Sequence, residues 1–365
     1  MARELKSEQI ERIVVRGANW VGDAVMTVPA LRALRRLLPN AHLTLATRSW
    51  AEGIFADADF IDDLLLIDDQ GAGVRGFSRQ VGAWRARRFD LALLCPNAAG
   101  PALVAWAARV PLRFGYATDR RAPLLTHPLA PPEWRSTRHE VFYYLYLVAA
   151  LEHALNGTQA VTTRAPEYQL SVSAERKTEA RALLDARGVE AERPLVALCP
   201  GSINSRAKRW PAESYAALAD QLISETGAHV LLIGSRAERD VTEQVRAAMR
   251  EQPVVLTGET SLAQTVAVLS LADLLVTNDT GPAHIAAALE RPTLVIFGPT
   301  NPLTTRPFAP AAEIMRHPPE CAPCMLRDCP IDHRCMTAIT PAQVFAQART
   351  LLACATCPVH AEVAR

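Results

Sequence analysis

A chain of 365 residues is too long for one ordinary hydrophobic core and fits two domains of roughly 150 to 200 residues each. Its 49% apolar and 21% charged residues exclude a disordered or low-complexity protein. The charges scattered through MARELKSEQIERIVV and the lack of any run of about 18 apolar residues exclude a signal peptide and a membrane span, so the chain is read as cytoplasmic. Residues 1–165 carry 20 Lys+Arg against 16 Asp+Glu, leaving 19 against 22 for 166–365. That imbalance is too small for a nucleic-acid footprint; it fits an anionic small partner, an anionic membrane surface or plain solvation.

In chain order, the first half alternates β-branched apolar runs (13–15, 43–46, 64–67, 91–95) with helical patterns such as 24–38, in which Pro29 either kinks the helix or opens a second one. The second half repeats the alternation, with strands expected at 195–199, 230–234, 254–257, 274–277 and 294–297 and helices at 212–225, 238–250, 262–271 and 283–289. Such alternation predicts an α/β protein of two doubly wound parallel sheets. The linker falls near residue 166, giving domains 1–165 and 166–365. Ligands of open α/β sheets bind at the carboxyl ends of the strands, so two sheets in tandem predict a shared central cleft.

The strand exits of the second half are all small or hydroxylated: Pro200-Gly201-Ser202, Gly234-Ser235, Thr257-Gly258, Asn278-Asp279-Thr280-Gly281 and Gly298-Pro299-Thr300. Glycine lets a ligand approach the backbone and helix-start N–H groups favour anions, which suits a nucleotide diphosphate; short βα turns need the same residues. In NDTGPAHIAAAL (278–289), Asp279 or Thr280 caps a helix whose first turn holds Gly281 and Pro282, and His284 is either a core residue or a ligand contact. In PGSINSRAKRWP (200–211), Lys208 and Arg209 follow a strand's carboxyl end, where a lysine is either a phosphate binder or solvated surface. RGANWVGDAVMTVPAL (16–31) is neither GxGxxG nor a P-loop. Its Gly22 turn aims Asp23 at the cleft as a general base, the other reading being an N-cap.

Together these segments resemble the ADP-heptose:lipopolysaccharide heptosyltransferases, glycosyltransferase family 9, over most of the chain. WVGD (20–23), NDTGPAHIAAAL and FGPTNP (297–302) are most similar to the family's type II branch. The resemblance implies a GT-B fold, two Rossmann-like domains with the acceptor on the first and the nucleotide sugar on the second, and inverting transfer of L-glycero-D-manno-heptose from ADP-heptose to an inner-core heptose of lipopolysaccharide. It makes Asp23 the catalytic base, Lys208 the phosphate-binding lysine, Glu238 the ribose ligand, and Asp279, Thr280 and Gly281 the residues at the donor heptose and phosphates, while GETSL (258–262), with Thr260, falls at the adenine loop. Ser202 and His284 complete the expected donor set. Arg120, Arg121, Arg135 and Arg138 are candidates, by charge and loop position, for an anionic Kdo/heptose–lipid A acceptor at the cytoplasmic face of the inner membrane. The resemblance requires no cofactor and implies no nucleic-acid partner.

CAPCMLRDCPIDHRC places Cys321, Cys324, Cys329 and Cys335 around His333, a candidate structural zinc site or a set of reduced thiols. Only Cys321 and Cys324 form a CxxC. The expected last helix, about 341–354, is a candidate to pack back on the N-terminal domain. Other readings are a type I or other core heptosyltransferase, a nucleotide-sugar 2-epimerase of the same architecture, and a non-enzymatic metal-binding adaptor built on the cysteines. The epimerase would need acid-base residues that cannot be assembled from this sequence, and the adaptor leaves the phosphate-type exits unexplained.

Overall fold

The computed structural model describes residues 7–67 and 73–355, and the chain divides into two compact units at Tyr168/Gln169. In the first unit the elements are β1 (Arg12–Arg16), α1 (Val21–Met26), α2 (Val28–Leu37), β2 (His42–Thr47), α3 (Glu52–Phe55), β3 (Asp63–Leu66), α4 (Val74–Arg87), β4 (Leu91–Leu94), α5 (Ala99–Ala107), β5 (Leu112–Tyr116), β6 (His127–Leu129) and α6 (Glu140–Asn156). The second unit comprises α7 (Ala174–Asp185), β7 (Leu195–Cys199), α8 (Ala212–Thr226), β8 (His229–Leu232), α9 (Arg239–Ala248), β9 (Val254–Val255), α10 (Leu262–Leu271), β10 (Leu274–Asn278), α11 (Gly281–Ala288), β11 (Thr293–Phe297), α12 (Pro302–Thr305), β12 (Ala312–Arg316), α13 (Arg334–Thr337) and α14 (Pro341–Ala355).

Each unit holds one six-stranded sheet, ordered β3-β2-β1-β4-β5-β6 in the first and β12-β11-β10-β7-β8-β9 in the second. Every strand pairing among the described residues is parallel. Helices therefore cover both faces, and the central strands are buried throughout rather than alternating: β4, β7, β10 and β11 are buried at every position, and they are apolar except at Thr277 and Asn278 of β10 and Thr293 of β11. Counted from each unit's first strand the two orders are the same. Strand order reverses between β1 and β4 in the first sheet and between β7 and β10 in the second, so the loops leaving those four strands flank the two ligand crevices.

Pro29 opens a second helix: α1 ends at Met26, Thr27 is both its C-cap and the N-cap of α2, and proline occupies the first turn of α2, where its missing N–H leaves nothing unpaired. Three strands lie outside the predicted set. β5 contains Arg113 and Gly115, and β6 and β12 are edge strands, β6 with Pro128 in its middle. Helix α6 also lacks a readable stripe because it is buried around most of its circumference, from Val141 through Leu151. Within the second unit, Val344, Phe345, Ala348 and Leu352 of α14 join the core beside Trp210, Tyr215 and Leu222.

Candidate active site

In the second unit the exits of β7 and β10 are locked by one amide. Asn278, fully buried at the end of β10, accepts from the Trp210 N–H (3.0 Å) and the Tyr215 hydroxyl (3.1 Å) through Oδ1. Its Nδ2 donates to the carbonyls of Pro200 (2.8 Å) and Gly201 (3.1 Å). All of its bonding capacity thus fixes the β7 exit and the entry to α8 against β10. No separate role for Asn278 was read from the sequence, although it opens the NDTG motif.

Beside it, Lys208 ends a short 3₁₀ turn (Arg206–Lys208) and reaches across the switch point to Asp279. Lys208 Nζ lies 2.7 Å from Asp279 Oδ2 and 3.2 Å from the Asp279 carbonyl, and the Thr300 hydroxyl donates to the same Oδ2 at 2.7 Å. The carboxylate is 5% exposed and the lysine side chain 26%, so the pair is anchored at the aspartate while the lysine keeps partial access to solvent. Asp279 does not cap α11. The N-cap is Thr280, whose side chain makes no capping bond; its hydroxyl lies 3.2 Å from that of Thr277. Gly281 is the first helical residue, and His284 is buried one turn on.

Glu238 is buried and shaped by a reciprocal cap: its Oε2 accepts from the Ser235 N–H and hydroxyl, both at 2.8 Å. Gly201 is required here, because a Cβ at that position would lie 2.1 Å from Glu238 Oε1. Ser202 is buried, and its carbonyl accepts from Arg209 Nε (3.2 Å) and Nη2 (2.9 Å). An open polar cavity of about 360 Å³ follows, lined by Arg206, Arg209, Glu238 and Asp240 together with Arg327 and Asp328 from the cysteine-bearing segment. Thr260 turns towards α10, its hydroxyl 2.9 Å from that of Thr265. The thiol of Cys199, beneath these exits, is pushed up to about 12 by burial, so it stays protonated at any physiological pH.

In the first unit, Asp23 is the third residue of α1. The N-cap position belongs to Trp20, so a capping role for Asp23 is set aside. Its Oδ1 accepts from the Tyr144 hydroxyl of α6 at 3.2 Å. Burial raises the Tyr144 pKa well above its ordinary value, with Asp23 and Glu140 adding to the effect, so Tyr144 is a permanent donor. Glu140 is itself raised by burial; Arg135, 3.9 Å away, opposes the rise and Asp23 reinforces it. The Arg135 guanidinium lies 4.3 Å from the centre of the Tyr143 ring, whose hydroxyl donates to Asn97 Oδ1 at 3.0 Å. The exits of β1 and β4 and the start of α6 therefore form one cluster of carboxylates, phenols and a cation.

The four arginines separate. Arg120, Arg135 and Arg138 are exposed, Arg138 stacking 3.7 Å over the Phe142 ring. Arg121 departs from the expectation: it is fully buried and cannot meet an acceptor from the surface. Its guanidinium donates to the carbonyls of Tyr116 (2.8 Å), Ala98 (3.0 Å) and Pro96, tying the β4 and β5 exits together. Burial lowers its pKa.

The thiols of Cys321, Cys324, Cys329 and Cys335 are free. Among the described residues no group of three or more His, Cys, Asp and Glu is arranged to hold a metal ion, and His333 Nε2 is engaged 2.7 Å from the Ala207 carbonyl.

The glycosyltransferase family 9 (heptosyltransferase) model matches residues 78–334. Lipopolysaccharide heptosyltransferase 2 of Salmonella typhimurium is 30% identical over 313 residues, 84% of this chain and 88% of that protein. The solved structure of Escherichia coli ADP-heptose lps heptosyltransferase II superposes with a TM-score of 0.79 at 28% identity, covering 94% of this chain and 99% of the other. The family 9 glycosyl transferase of Veillonella parvula gives 0.83 at 24% identity, covering 97% and 99%, a likeness of fold. The paired doubly wound sheets are thus those of a GT-B glycosyltransferase. The chain belongs to glycosyltransferase family 9, the heptosyltransferases.

Proposed function

We propose that this enzyme transfers heptose from ADP-heptose to the inner core of lipopolysaccharide, with the donor on the second unit and the acceptor on the first. The observation that carries the reading is the Lys208–Asp279 pair at the switch point of the second sheet, in a chain 28% identical along nearly all its length to an ADP-heptose lps heptosyltransferase II. Asp279 neutralises and aims Lys208, whose partly exposed side chain meets the diphosphate, and the start of α11, which no side chain caps, adds backbone donors. Ser202, Glu238 and the neighbouring cavity take the nucleoside, Glu238 at the ribose and the Thr260 loop at the adenine, while Thr280, Gly281 and His284 border the heptose and phosphates.

Asp23 acts as general base. It takes the proton of an acceptor hydroxyl as that oxygen bonds to the anomeric carbon, on the face opposite the bond to ADP. That bond breaks, its electron pair leaves with ADP, and the configuration inverts. Arg120, Arg135 and Arg138 attract the anionic Kdo and phosphate groups of the acceptor. Charge reversal at these three should raise the acceptor KM and flatten its salt dependence. The excess of basic residues in the first half of the chain supports a peripheral encounter with an anionic lipid surface.

Incubation with a core-truncated lipopolysaccharide acceptor and a panel of nucleotide sugars tests the reading. ADP release and product formation are expected with ADP-heptose alone. Equal turnover of UDP- or GDP-sugars would contradict it.

A further inference from the structure

The cysteine-bearing segment lends Arg327 and Asp328 to the cavity wall, but its cysteines and His333 have no part in the donor or acceptor chemistry, and the segment also grips the turn that carries Lys208. Ser205 Oγ lies 3.2 Å from the carbonyls of both Leu326 and Arg327, and the Ala207 N–H donates to the Arg327 carbonyl at 2.9 Å. His333 Nε2 meets the Ala207 carbonyl at 2.7 Å, and Trp210 Nε1 donates to the Ile339 carbonyl at 2.8 Å. Residues 205–210 are therefore held by this segment at several points, while Asn278 holds them from β10 through the Trp210 N–H. The Arg206–Asp328 ion pair also joins the two, but its side chains are 76% and 57% exposed, so it adds little.

The segment has its own footing. The Met325 N–H donates to the Pro299 carbonyl at 2.9 Å, and Met336 and Cys335 fill the space above Gly298, where a Cβ would lie 2.4 Å from Met336 Sδ and 3.1 Å from Cys335 Sγ. Glycine in the FGPT stretch is thus explained by close packing of α13 on the β11 exit. His333 stands at the N-cap of α13 with φ +55°, a conformation that directs its ring back to the 205–208 turn. A carbonyl oxygen only accepts, so Nε2 must carry the proton in this contact.

We propose that His333 is a positioning residue of the donor site: by donating to the Ala207 carbonyl it fixes the turn that presents Lys208 and thereby sets the affinity for a nucleoside diphosphate. Cys335 and Met336 seat the strut on Gly298, and His333 is spent as a hydrogen-bond donor rather than as a metal ligand. The inference rests on Lys208 being the diphosphate ligand.

The test uses the full-length chain and ADP as probe, comparing wild type, Lys208→Ala, His333→Ala and His333→Gln by calorimetry, with donor and acceptor KM measured alongside. Glutamine can present an amide N–H to the same carbonyl without titrating. His333→Ala should weaken ADP binding and raise the donor KM by about 3- to 10-fold, the scale of one lost hydrogen bond, with the acceptor KM unchanged. His333→Gln should recover most of the loss. Wild-type ADP affinity in His333→Ala overturns the proposal, as does a glutamine variant as weak as the alanine one. Should His333→Ala unfold, the glutamine variant alone decides, near-wild-type binding supporting the strut and weak binding refuting it. Wild-type ADP affinity in Lys208→Ala is a separate failure, because it removes the diphosphate reading and the strut with it.

Discussion

The two units share a strand order and differ in the chemistry they place at it. Each stitches neighbouring strand exits with one buried polar side chain: in the first unit Arg121 donates to the carbonyls of Pro96, Ala98 and Tyr116, joining the β4 exit to that of β5, and in the second Asn278 links Pro200, Gly201, Trp210 and Tyr215 across the switch point itself. At the mouth, however, the first presents the carboxylates of Asp23 and Glu140 among phenols, while the second presents a lysine with its own carboxylate already neutralised. Topology fixes where a ligand can sit, and the side chains at the exits decide what kind. A unit offering a base should handle a hydroxyl, and one offering a cation should handle a diphosphate.

The division breaks most visibly through Asp23→Asn, which keeps the shape but removes the base. The expected loss is about 10² to 10⁴ in kcat, read by steady-state kinetics, with the melting temperature near wild type. Next in size is Asn278→Ala, which strands buried donors and acceptors in the second unit. Each unsatisfied group costs about 1 to 3 kcal/mol, so a loss of at least about 3 kcal/mol in denaturant unfolding is expected. A change under 1 kcal/mol would mean that water replaces the amide.

Smaller effects sharpen the comparison on the acceptor side. Tyr144→Phe removes the hydroxyl that orients Asp23 and should lower kcat by about 3- to 10-fold without touching ADP affinity. An unchanged kcat would show the contact to be incidental. Glu140→Gln gives the gentlest signal and one with a defined pH direction. The folded protein keeps the Glu140 proton to higher pH than the unfolded chain does, so its carboxylate costs stability that grows as pH rises from the ordinary glutamate range through the raised folded value. The glutamine variant should melt higher than wild type near neutrality and converge with it in acid. A gap that widens on acidification would reverse the assignment.

How much of this was legible follows from what periodicity can carry. The central strands and α8, α10 and α11 were readable because apolar runs and small-residue exits are local signals. β5, β6 and β12 carry arginine, proline or edge polarity inside the strand, and α6 has no stripe because tertiary packing buries most of its surface. At the site, Asp23, Lys208 and Asp279 stood out as candidates by their place in the motifs, and Glu238 only through the family resemblance. Their partners could not. Lys208 and Asp279 are 71 residues apart and Tyr144 is 121 from Asp23, separations at which sequence pattern says nothing of distance. Arg120 and Arg121 look alike in sequence, but the left-handed turn at Asp119 and Arg120 leaves one exposed and turns the other wholly inward. Asn278 was visible only as the first letter of a motif, since a buried amide's value lies in the groups around it.

The most direct test of the division of labour is a calorimetric titration of ADP into wild type, Asp23→Asn and Lys208→Ala. The account predicts that Asp23→Asn binds ADP as wild type does while Lys208→Ala loses about 1 to 3 kcal/mol, the worth of a charged hydrogen bond. Equal weakening in both, or loss confined to Asp23→Asn, would contradict it.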